Sequence, residues 1–108
     1  MISRDIHYGK PTVYNAIEHL KLFLKDVKRS EKIVEVITGY GSSSGSCKIK
    51  NEAIKYLEEL KEISYIKDYI CGNDLDIFSL KYQNFKYKSL ISEDVKKRCN
   101  PGAIYIIL

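Results

Sequence analysis

Little in this chain points to metal clusters, disulfides or membranes. Its three cysteines, Cys47, Cys71 and Cys99, lie far apart with no C-x-x-C pair, and their odd number argues against a disulfide framework. The two histidines, His7 and His19, combine with those cysteines in no zinc-ligand spacing. No apolar run approaches the roughly 20 residues that cross a bilayer, so no membrane partner is expected. The opening residues, Met1-Ile2-Ser3-Arg4-Asp5, lack the long apolar core of a secretory signal. Together these absences lead us to expect a cytoplasmic protein with reduced thiols. Internal repeats and low-complexity tracts are lacking as well.

What is present fits one soluble domain over residues 1–108. Hydrophobic residues make up 44% and charged residues 30%, and the length suffices for a single core. Charge is unevenly placed. Residues 1–50 carry nine Lys/Arg against five Asp/Glu, whereas residues 51–108 carry nine of each, so the first half holds the whole excess of +4. A local positive excess suits an anionic partner such as nucleic acid, although +4 is also ordinary for proteins without one.

Periodicity supplies the elements. Residues 2–8 read as a first strand running into Tyr8-Gly9-Lys10-Pro11. Thr12 is placed to cap a helix whose apolar positions Val13, Ala16, Ile17, Leu20, Phe23, Leu24 and Val27 share one face. Residues 33–38 form a second strand, parallel to the first through a right-handed crossover. A second helix is expected over residues 47–63 and a third strand over 66–71. Residues 73–98 are the least regular, with a brief helix from Ser92 to Arg98 whose charge order matches the helix dipole. Residues 103–108 are nearly all apolar and read as an interior strand.

The stretch from Thr38 to Lys50 is the leading candidate site. A strand ends in Thr38-Gly39-Tyr40-Gly41, continues through Ser42, Ser43, Ser44, Gly45 and Ser46, and gives way to a helix. Such a loop can bring backbone N–H groups close to phosphate at a helix start, with Lys48 and Lys50 adding charge. It is neither a dinucleotide fingerprint nor a Walker loop, because it follows the second strand and Gly45 precedes Ser46-Cys47. The alternative is a sharp strand-to-helix turn built from small residues. In Asp5-Ile6-His7, Asp5 and His7 share one strand face, where they can act as metal ligand and acid-base pair or simply form an exposed edge pair. Residues 81–88, with Tyr82, Phe85 and Tyr87 among three lysines, have the composition of a base-stacking surface or of a loop packed over the sheet.

Three stretches in this order, D-I-H-Y-G-K-P-T-V, V-I-T-G-Y-G-S-S-S-G and N-P-G-A-I-Y-I-I-L, resemble the small MutS-related (Smr) domain, and most closely its short stand-alone bacterial branch. The resemblance covers most of the chain, with residues 73–98 as an insertion before the last strand. It implies an α/β two-layer sandwich: a four-stranded mixed sheet with two main helices, similar to the C-terminal domain of translation initiation factor three. It also implies binding to DNA or RNA, and an endonuclease activity in which Asp5 and His7 would be catalytic. Asp5 would orient or activate a water, or hold a divalent ion such as Mg²⁺ or Mn²⁺, with His7 as the acid-base group. Phosphate would be held by Lys10, Thr38 to Ser44, Gly45, Lys48 and Lys50. Tyr8 replaces the glycine of the first motif, Tyr40 a frequent lysine, and Ser43 stands where a loop histidine is common. Those replacements suit an alternative, a non-catalytic RNA- or ribosome-associated binding module. A third reading is a small anionic-ligand binder using the same loop.

Overall fold

The three-and-four spacing after Thr12 produces the first helix, α1 (Val13–Val27), whose start is fixed by the Asn15 N–H donating to Thr12 Oγ1 at 3.1 Å. A second helix of equal length, α2, spans Lys48–Glu62. The strands are β1 (Ile2–Asp5), β2 (Ile33–Ile37), β3 (Asp68–Cys71) and β4 (Ala103–Ile107). The computed structural model describes residues 1–39 and 47–108. Among them no helix is long and apolar enough to cross a membrane.

The sheet order is β1-β2-β4-β3, with β1 parallel to β2 and β4 antiparallel to both of its neighbours. This is the four-stranded mixed sheet with two main helices that the sequence leads one to expect. Every residue of β4 is buried, as its continuous apolar run anticipates. Val34, Val36, Ile104 and Ile106 point to one face, where they meet Ala16, Leu20, Phe23 and Leu24 of α1 and Ala53 and Leu57 of α2.

Residues 72–102 join the antiparallel neighbours β3 and β4 by a long detour over the other face. Two short helices punctuate it, α3 (Leu80–Asn84) and α4 (Glu93–Arg98). Leu75, Tyr82, Phe85, Ile91 and Val95 pack there against Ala103, Tyr105 and Ile107. Tyr82 and Phe85 are therefore core residues, and Lys88 and Lys96 lie over the Tyr82 ring at 5.3 and 5.7 Å. The packed-loop reading of residues 81–88 describes them; the base-stacking one does not.

Two boundaries differ from expectation for local reasons. β1 stops at Asp5 because the Asp5 carboxylate accepts the next free N–H groups, from His7 at 2.8 Å and Tyr8 at 2.9 Å, and turns the chain. β3 begins at Asp68 rather than Ile66 because α2 ends in a Schellman turn. Ser64 takes φ 61°, its N–H donates to the Lys61 carbonyl, and Tyr65 N–H reaches back to Leu60 at 2.8 Å.

Candidate nucleic-acid interface

The parallel pairing of β1 and β2 sets Asp5 beside Ile37, an offset that places His7 beside Gly39 two residues further on. The chain realises that juxtaposition. A Cβ built on Gly39 would lie 2.9 Å from His7 Cδ2, 3.0 Å from Cγ and 3.1 Å from Nε2, so the imidazole rests flat against the Gly39 backbone. Gly39 has φ 66°, a conformation L side chains rarely adopt. The positive φ calls for glycine here, and an added Cβ would also push the exposed His7 ring aside.

Thr38 anchors the start of the loop. It is buried, its N–H donates to the Gly102 carbonyl at 2.7 Å, and its hydroxyl donates to the Gly39 carbonyl at 3.0 Å. The exits of β1 and β2 and the Gly102 turn that opens β4 thus form one edge of the sheet. The N-terminal ends of α1 and α2 follow the two strand exits. In open α/β sheets that is the edge at which ligands bind, and N–H groups at helix starts favour anions there.

The other expected site residues divide. Lys10 is exposed, in a left-handed turn with φ 52°, and Lys48 is exposed at the first residue of α2. Lys50 instead donates to Asn73 Oδ1 at 3.1 Å, toward the β3 exit. Asp5 and His7 are both exposed, and the bond between them runs from the His7 backbone N–H to the Asp5 carboxylate. Tyr40, Gly41, Ser42, Ser43, Ser44, Gly45 and Ser46 lie outside the described residues. Among the described residues no three His, Cys, Asp or Glu side chains converge to hold a metal ion.

One polar group escaped the sequence reading. Glu35 is buried mid-strand in β2, accepting from Ser3 Oγ at 2.7 Å and from the Tyr105 hydroxyl at 2.6 Å. Ser3, Glu35 and Tyr105 are register partners across β1, β2 and β4. Burial, and then the bond to Glu35, push the Tyr105 hydroxyl well above its ordinary value near 10. The one sequence signal was an acid between two valines in an apolar strand.

No family model, curated protein or solved structure matches this chain.

Proposed function

We propose that this chain is an Smr-like domain that binds nucleic acid along the edge where β1 and β2 end. The observation that carries the reading is the His7 ring lying against Gly39. It joins the D-I-H and T-G stretches, on which the resemblance rests, at one place. Lys10 and Lys48 are exposed cations on the segments leaving the same strands. In this reading they contact phosphate, helped by N–H groups at the start of α2.

Binding is favoured over cleavage by what Asp5 does. Its Oδ1 is engaged by two backbone N–H groups that terminate β1, a turn-forming role. Among the described residues no three His, Cys, Asp or Glu side chains converge to hold Mg²⁺ or Mn²⁺ tightly without substrate. If phosphodiester cleavage occurs, the exposed His7 ring is the acid-base group within the described part of the edge.

The test is fluorescence anisotropy with short single- and double-stranded DNA and RNA across a salt series, with gel analysis for cleavage. Binding should weaken steeply with salt, and Lys10→Ala and Lys48→Ala should each flatten the log–log slope by about 1. Asp5→Asn keeps an acceptor for the turn while removing charge. Unchanged binding with lost cleavage in that variant would make Asp5 catalytic after all. Affinity independent of salt would refute phosphate recognition.

A further inference from the structure

The edge where β1 and β2 end carries an aromatic feature that phosphate contact leaves unused. The chain has nine tyrosines, of which Tyr40 lies outside the described residues. Tyr82 and Tyr105 are buried, and Tyr56, Tyr65, Tyr69 and Tyr87 are partly buried. Tyr8 and Tyr14 differ from these, being 85% and 73% exposed. One apolar side chain in solvent is ordinary. Here two large rings stand in water on the one segment that leaves β1 and enters α1, on either side of the exposed Lys10 in sequence.

That segment is held in shape from both ends. The Tyr8 N–H donates to Asp5 Oδ1 at 2.9 Å, which fixes the backbone under the first ring. Gly9 and Lys10 follow with φ 80° and 52°, and Pro11 restricts its own φ. Thr12 then caps α1 through the Asn15 N–H at 3.1 Å, and Tyr14 is the second residue of that helix. The backbone beneath each ring is therefore set before a ligand arrives. A tyrosine has only two χ angles left to order, so little entropy is lost on binding.

We propose, resting on the nucleic-acid reading above, that the ligand of this edge is single-stranded, with unpaired bases stacking on Tyr8 and Tyr14 while Lys10 and Lys48 hold the phosphates between and beside them. Aromatic rings interleaved with cations are the arrangement that tracks a single strand. Every base has a π face, so this contact tolerates any sequence. A duplex keeps its base faces inside its own stack and can meet only the lysines of this edge. The two tyrosines thus set the preference for strand over duplex, and the lysines supply the salt-dependent part of the affinity.

Fluorescence anisotropy with four labelled probes of equal length tests this: single strands of DNA and of RNA, the matching DNA duplex, and an abasic DNA strand that keeps the phosphates. Both single strands should bind at least 10-fold more tightly than the duplex or the abasic strand. Tyr8→Ala and Tyr14→Ala should each weaken single-strand binding about 5- to 150-fold. The same variants should leave abasic-strand affinity and the salt slope unchanged, and Tyr8→Phe and Tyr14→Phe should keep wild-type affinity. Both positions are exposed, so the alanine variants should unfold at the wild-type temperature. Equal affinity for all probes, or indifference to both alanine variants, overturns stacking and leaves the phosphate-binding reading standing. An alanine loss that extends equally to the abasic strand also overturns it, because the rings would then act through the local backbone. Binding to none of the probes overturns both readings together.

Discussion

Replacing Gly72 with alanine should be among the most damaging single-methyl changes in the described chain. Gly72 is buried at the exit of β3, and a Cβ there would run into the Asn100 carbonyl oxygen, with the Asn100 carbon at 2.9 Å and nitrogen at 3.1 Å. All three are backbone atoms, so no rotamer change relieves the overlap. Asn100 is itself pinned, its carbonyl accepting from Ala103 N–H at 3.1 Å and its side chain from Gly102 N–H at 2.9 Å. Overpacking costs ~1–3 kcal/mol, and the reduced unfolded-state entropy of alanine offsets only ~0.4–1 kcal/mol of it. With rigid backbone as the obstacle we expect a net loss of about 2 kcal/mol. Taking ~2.1 cal/mol/K of unfolding entropy per residue, that lowers Tm by roughly 9 °C for this length. Gly9→Ala is the control: Gly9 has φ 80° but nothing within 4 Å of its Cβ position, so it isolates backbone strain from collision. Urea and thermal unfolding followed by circular dichroism give both values. Hydrogen exchange at Thr38, whose N–H bonds Gly102, should accelerate in Gly72→Ala and not in Gly9→Ala. A Gly72→Ala loss below about 0.5 kcal/mol, within the range of inconsequential surface changes, would refute the reasoning.

Other outcomes follow from the same contacts. Tyr105→Phe leaves Glu35 buried without one of its donors and should cost ~1.5–3 kcal/mol, the range for hydrogen bonds to charged groups, read by urea unfolding. Because the folded-state Tyr105 hydroxyl ionises above its unfolded value near 10, its contribution is complete below pH 10 and is lost as pH rises beyond it. The alkaline limb of a stability–pH curve should therefore be shallower in Tyr105→Phe than in wild type. Ser64→Gly relieves a left-handed serine at the end of α2 and should raise stability by ~0.5–1 kcal/mol, measured as a higher urea midpoint at unchanged slope.

The parts of this fold that sequence reveals are those fixed by repeating pattern. Spacing in α1 and the unbroken apolar run of β4 need no tertiary information, and the parallel β1–β2 crossover follows from their order. That crossover also makes the meeting of His7 and Gly39 legible, since parallel register carries the two strand exits forward in step. Single side-chain bonds are different. The Asp5 turn that ends β1 and the Ser64 turn that delays β3 each rest on a few hydrogen bonds with no period to detect. Leu75, Tyr82, Phe85, Ile91 and Val95 look irregular because the sheet, not a helix, aligns them. Once they cover the second face, Glu35 becomes buried and must be satisfied by Ser3 and Tyr105. The exposure of Ile77, Phe78 and Leu80 is equally invisible in the sequence, because the apolar residues on either side, Leu75 and Tyr82, are core.

We propose that nucleic acid is met at the edge where β1 and β2 end. A nuclear magnetic resonance titration of the labelled protein with a short RNA and a short DNA, at low and high salt, tests this binding site residue by residue. Binding at this edge should give amide and ring shifts concentrated at His7, Gly9, Lys10, Thr38, Gly39 and Lys48, shrinking as salt rises. Shifts centred on β3, or none at either salt concentration, would contradict it.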